Sequence, residues 1–105
     1  MIFITGGFFQ GKTDFAKTFS LPIVNNLEDK IKEWLKNSAD VESEIEKILE
    51  NKNCVVVCSE IGCGIVPLEK SERVWREIVG RVSCDIAKKS TEVYRMQSCI
   101  AMRIK

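Results

Sequence analysis

The apolar positions of this chain follow two spacings in alternation. Continuous runs at Met1-Ile2-Phe3-Ile4-Thr5 and Cys54-Val55-Val56-Val57-Cys58 read as short buried strands of a parallel sheet. Ile23-Val24, after the break at Ser20-Leu21-Pro22, predicts a further brief strand. Elsewhere the spacing is helical. Asp14 to Phe19 can continue as a helix, and Leu27, Ile31, Trp34 and Leu35 share one face of a second, capped by Asn26. Lys30, Lys32, Glu33 and Lys36 cover its other face. Asp40 caps a third, whose buried stripe is Val41, Ile45, Ile48 and Leu49 and whose solvated face carries Glu42, Glu44, Glu46, Lys47 and Glu50. The longest helix runs from about Leu68 to Lys89, with Val74, Trp75, Ile78, Val79, Val82 and Ile86 inward. Gly80 lies inside it, and because an interior glycine costs about 1 kcal/mol relative to alanine, close packing against a neighbour is expected there. Glu92 to Met96 and Ile100 to Ile104 read as two strands meeting at a turn near Ser98-Cys99. Such alternation predicts an α/β fold, a mainly parallel sheet flanked by helices and closed by a C-terminal strand pair, in a single domain over 1–105.

Between the first strand and the first helix stands Gly6-Gly7-Phe8-Phe9-Gln10-Gly11-Lys12-Thr13, which satisfies every fixed position of G-x-x-x-x-G-K-S/T. Glycines let backbone N–H groups turn toward a phosphate, the lysine reaches the terminal phosphates, and the hydroxyl ligates Mg²⁺. Gly6, Gly7, Gln10, Gly11, Lys12 and Thr13 are therefore the candidate nucleotide-binding residues, for ATP or GTP with Mg²⁺, and the sheet is expected to be P-loop NTPase-like. In a parallel sheet the ligand sits beyond the carboxyl ends of the strands. Glu60 follows the strand run at Cys54 to Cys58, which makes it the candidate carboxylate near the metal-bound phosphates or an acceptor hydroxyl; the plainer reading has it cap the N–H groups of its own loop. Asp29 is a second candidate on the magnesium side, in competition with a helix-terminal role.

Composition narrows the picture by exclusion. Sixteen basic and fifteen acidic residues leave a net charge of +1, with no like-charge block that would suit nucleic acid. No apolar run approaches the ~20 residues that span a bilayer, so a cytoplasmic protein without membrane insertion is expected. Five cysteines, Cys54, Cys58, Cys63, Cys84 and Cys99, form no C-x-x-C pair and read as reduced thiols. There is no histidine, which disfavours zinc sites and Ser-His or Cys-His catalysis.

Ser59-Glu60-Ile61-Gly62-Cys63-Gly64-Ile65-Val66-Pro67, then Arg73, Gly80-Arg81-Val82, Ala87, Glu92-Val93-Tyr94 and Arg103-Ile104-Lys105, resemble the adenosylcobinamide kinase/adenosylcobinamide-phosphate guanylyltransferase family of cobalamin biosynthesis. The opening Ile4-Thr5-Gly6-Gly7 with Gly11-Lys12-Thr13 fits it too. The resemblance implies a P-loop fold, phosphorylation of the aminopropanol hydroxyl of adenosylcobinamide by a nucleoside triphosphate, and then GMP transfer through a guanylylated histidine. It also implies a homo-oligomer, a trimer in family members, in keeping with the apolar Phe8 and Phe9. Departures are clear: Phe8, Phe9 and Gln10 replace small and polar loop residues, Ser83-Cys84 replaces an Asn-Gln pair, and Cys99 stands where glycine is expected. The chain is also shorter than the family's usual length, and the shortening falls in the region that carries the histidine.

The expected function is accordingly that of a nucleoside-triphosphate-binding family member retaining the kinase step, with Lys12 and Glu60 as its catalytic residues, Thr13 and an acid such as Asp29 on the metal, and the guanylyltransferase step lost. The competing expectation is a non-catalytic descendant that binds a nucleotide or a corrinoid as a sensor or partner subunit. An unrelated nucleotide kinase would need an acceptor-binding insertion that is not found. A Ras-like switch is disfavoured because Asn51-Lys52-Asn53-Cys54 lacks the aspartate of a guanine-reading N-K-x-D motif.

Overall fold

The computed structural model describes residues 1–61 and 69–105. Gly62 to Pro67 of the stretch that carries the family resemblance, the start of the long helix at Leu68 and the thiol of Cys63 lie outside the described residues. In chain order the elements are β1 (Ile2–Gly6), α1 (Lys12–Lys17), β2 (Ile23–Val24), α2 (Leu27–Lys36), α3 (Val41–Glu50), β3 (Val55–Ser59), α4 (Lys70–Lys89), β4 (Glu92–Gln97) and β5 (Ile100–Arg103).

The two apolar runs pair directly. β1 is parallel to β3, with Ile2 opposite Val55 and Gly6 opposite Ser59, and parallel on its other side to β4. β2 adds to the outer side of β3 and β5 runs antiparallel to β4, giving the order β2-β3-β1-β4-β5. Every residue of β3 is buried, which is why its sequence is continuously apolar and not alternating. Successive side chains serve opposite faces. Phe3, Val56, Cys58 and Val93 meet Leu27 and Ile31 of α2, Ile45 of α3, and Val79, Val82 and Ile86 of α4. Ile2, Ile4, Val55, Val57 and Met96 meet Ala16 of α1 on the other face, with Phe15, Phe19 and Tyr94 in edge-to-face and tilted contact over them. The helices that follow β1 and β3, α1 and α4, pack on opposite faces of the sheet, which opens a crevice beyond the carboxyl ends of these strands.

The helices refine the sequence reading. α1 stops at Lys17, two residues short of Phe19. Asn26 occupies the cap position of α2 but is left-handed (φ 52°) and its side chain makes no capping bond; its carbonyl instead accepts from the N–H groups of Asp29 and Lys30 at 3.0 and 3.2 Å. Asp40 does cap α3, accepting from Ser43 N–H and, at 2.9 Å, from the Ser43 hydroxyl. Val74, expected inward, is exposed, because the buried stripe of α4 is carried by Val79, Val82 and Ile86 at its C-terminal half.

Among the described residues a methyl group at Gly80 would meet nothing within 4 Å, so none of them requires a glycine here. Gly80→Ala is therefore expected to raise stability by about 1 kcal/mol, the helix-propensity difference, as read by urea unfolding. A loss of stability would mean that a neighbour needs the space.

The hairpin between β4 and β5 turns through two residues, Ser98 (φ 51°) and Cys99 (φ 61°), both left-handed. That is the backbone of a type I′ turn, which favours Asn-Gly because glycine enters φ > 0 without a Cβ clash. This explains why glycine is the expected residue at position 99, and Cys99 sits there at a conformational cost.

Candidate nucleotide-binding site

The loop joining β1 to α1 is held at both ends by backbone that requires glycine. Gly6 has φ 146°, and a Cβ there would lie 2.6 Å from the Met96 carbonyl oxygen on β4. Gly11, at φ 79°, forms the N-cap of α1; its left-handed backbone favours glycine, and a Cβ on it would sit in ordinary contact with the Cys99 Sγ at 3.5 Å. The hairpin turn thus rests against the phosphate loop, and Gln10 ties the two together: its Oε1 accepts the Ser98 N–H. At the tip Phe9 is left-handed (φ 59°) and 99% exposed, and Phe8 is also exposed.

Lys12, in the first turn of α1, is buried with its Nζ folded inward to donate to the Gly7 carbonyl. Burial pushes its pKa below the ordinary lysine value, against the opposing pull of Glu28 first and then of Cys58 and Glu60. The ammonium is therefore enclosed by its own loop and surrounded by negative or polarisable groups. Thr13 donates its hydroxyl to the Asn25 Oδ1 at 3.1 Å. The same oxygen accepts the Asn26 N–H at 3.1 Å, which fixes the orientation of the Asn25 amide because only its oxygen can take that proton.

Gln10, Gly11, Lys12, Thr13 and Asp29 line one cavity of about 290 Å³ with Glu28 and Ser59. Asp29 is on its exposed rim, whereas Glu28 is only 2% exposed. The Glu28 carboxylate accepts the Ser59 N–H at 3.0 Å, joining the first turn of α2 to the end of β3, and its backbone carbonyl accepts Trp75 Nε1–H at 2.8 Å. Glu28 and Asn25 were both missed from sequence. Glu28 had a signal, since it falls three before Ile31 and seven before Leu35 on the apolar face of α2, where a carboxylate is out of place unless it has a partner. Asn25 had none, because its contact with Thr13 exists only once β2 has joined the sheet.

Glu60 is next to this cavity but not in its lining. Its N–H donates to the Gly6 carbonyl at 2.8 Å, so it begins where β1 ends. Its carboxylate takes a two-pronged pair from Arg95 of β4, Nε at 2.9 Å and a terminal nitrogen at 3.1 Å; the loop it was expected to cap lies outside the described residues. With Thr5, Gly80 and Ser83 it lines a second cavity of about 200 Å³. Cys58, fully buried at the end of β3, has its thiol pushed up to about 12, first by burial, which disfavours the thiolate a nucleophile needs.

A mainly parallel α/β sheet with a glycine-held phosphate loop at its central strand defines the class: a P-loop-type fold. The model of the family described as cobinamide kinase / cobinamide phosphate guanyltransferase matches residues 20–104, and the chain belongs to that family. It is also similar to the bifunctional adenosylcobalamin biosynthesis protein CobU of Escherichia coli (strain K12), with 41% identity over 51 residues. That stretch is 49% of this chain and 28% of the relative, so the chain matches little more than a quarter of that protein's length.

Proposed function

We propose that this chain binds a nucleoside triphosphate in the cavity over Lys12 and transfers its terminal phosphoryl group to the aminopropanol hydroxyl of adenosylcobinamide. The observation that carries the reading is the enclosed Lys12 ammonium on the floor of a cavity built from the phosphate loop, Thr13 and Glu28. Phosphoryl transfer needs positioning and charge stabilisation more than covalent chemistry. Lys12, turned from Gly7 to the phosphate oxygens, meets the charge that develops on the transferring group. The Thr13 oxygen keeps its lone pairs while donating its proton to Asn25, so it suits a hard cation such as Mg²⁺, which when bound neutralises phosphate charge. Glu60, one residue beyond β3 and held in line by Arg95, faces the second cavity, where it would orient the acceptor hydroxyl. The GMP-transfer step of the family is absent from this proposal because the chain has no histidine to carry the guanylyl group.

A corrinoid is much larger than either cavity, which favours completion of the acceptor side by a second copy and so self-association. A specific contact favours the non-catalytic alternative as well: both Glu60 oxygens are engaged by Arg95, so acceptor binding must compete with that ion pair. One experiment separates the readings. The purified chain is incubated with Mg²⁺, ATP or GTP, and adenosylcobinamide, and products are read by mass spectrometry while nucleotide binding is followed by calorimetry. Phosphorylated cobinamide that is reduced by Glu60→Gln, with nucleotide affinity kept, supports the kinase. Intact nucleotide binding without product replaces it by the sensor or partner-subunit reading.

A further inference from the structure

The side chain behind Thr13 decides how strongly a P-loop site depends on its metal. In P-loop proteins Mg²⁺ is held by the loop hydroxyl and by an aspartate from a neighbouring strand end. Here the strand end that reaches Thr13 is that of β2, and the side chain it presents is Asn25. An amide carries no charge, and its oxygen has two lone pairs. Both are in use, one on the Thr13 hydroxyl and one on the Asn26 N–H. Asn25 therefore has neither charge nor a free oxygen site to offer a cation.

The carboxylates nearby do not make up for it. Glu28 accepts the Ser59 N–H and acts electrostatically on Lys12. Asp29 is on the exposed rim. Among the described residues no three acidic, cysteine or histidine side chains are grouped as a metal site. The donors fit Mg²⁺ as hard oxygens, but they fit an ion carried by the phosphates and water better than one drawn in by the protein.

We infer that Asn25 is a positioning residue that fixes the Thr13 hydroxyl and brings neither charge nor a free oxygen to the magnesium side of the site, so that triphosphate affinity depends only weakly on Mg²⁺. This rests on the proposal that the loop binds a nucleoside triphosphate. Asn25→Asp keeps the shape, keeps an acceptor for both donors and adds a charged second oxygen, so it should create the missing coupling.

The test is calorimetric titration of the intact chain with ATP and with GTP, in excess Mg²⁺ and in EDTA, with melting curves to confirm folding. Wild-type affinity is expected to change by less than about fivefold on adding Mg²⁺, and that of Asn25→Asp by more than about tenfold. A larger wild-type response, or an Asn25→Asp chain that folds and gains no coupling, overturns the inference. If the wild-type response is large and is abolished by Glu28→Gln or Asp29→Asn, that carboxylate is the metal-side acid and the inference is overturned with its cause identified. Binding by the wild type in EDTA but not in Mg²⁺ also overturns it. Failure of the wild type to bind either nucleotide in both conditions overturns the nucleotide-binding proposal itself, and is distinguishable because no Mg²⁺ comparison then arises.

Discussion

Lys12→Met is expected to remove nucleotide binding while leaving the fold at least as stable as the wild type. The ammonium is the cation closest to the place a terminal phosphate would take, and its loss should lower triphosphate affinity at least about a hundredfold, or ~3 kcal/mol. Stability should move the other way. Burial holds the Lys12 pKa below 10.5, which means the folded state bears a cost for keeping this charge. In the folded protein its main hydrogen bond is to the Gly7 carbonyl, on a half-buried residue that water can reach after substitution. Methionine fills a similar volume without the charge. The sign in pH follows from proton binding: between the folded pKa of Lys12 and 10.5 the unfolded chain holds more protons, so wild-type stability rises with pH through that window. Lys12→Met should flatten this rise. Calorimetry and urea unfolding together check the prediction, and a variant that loses stability and retains nucleotide would show Lys12 to be structural.

Glu28→Ala should be the most destabilising of the single changes considered, by about 3 kcal/mol. It leaves the buried Ser59 N–H without its acceptor, a loss of about 1–3 kcal/mol, and adds an emptied side-chain volume where α2 meets β3. Glu28→Gln separates hydrogen bonding from charge. Its amide oxygen can still accept from Ser59, so its cost should stay below about 1 kcal/mol. With the negative charge gone, Lys12 loses the largest influence that raises its pKa, which should fall further. Equal losses for the alanine and glutamine variants in urea unfolding would place the role of Glu28 in its charge and not in the bond to Ser59.

How far the sequence reached depended on whether a feature was local. The strands at Ile2–Gly6 and Val55–Ser59 were legible because strands buried on both faces carry continuous apolar runs, and the helices because one face repeats at helical spacing. The connection from β1 to α1 was legible for the same reason: Gly6 and Gly11 bracket one short backbone path, and both have the positive φ that glycine permits. The turn near Ser98-Cys99 was legible from its flanking strands, whereas the left-handed backbone of both turn residues was not.

What the sequence could not determine were the contacts made across the sheet order. Asn25 meets Thr13 because β2 adds outside β3 in register with it, and Glu28 meets Ser59 because α2 then lies over that strand. Arg95 reaches Glu60 because β4 pairs with β1 on the side away from β3, bringing together side chains 35 residues apart. Neither strand order nor the pairing of a buried charge has a period or a spacing in the chain; each follows from which apolar faces can be covered at once. The sequence by itself therefore determined the elements and the glycine-bracketed loop from β1 to α1, and the tertiary structure alone decided which acid faces Lys12, which side chain stands behind Thr13, and where Glu60 finds its partner.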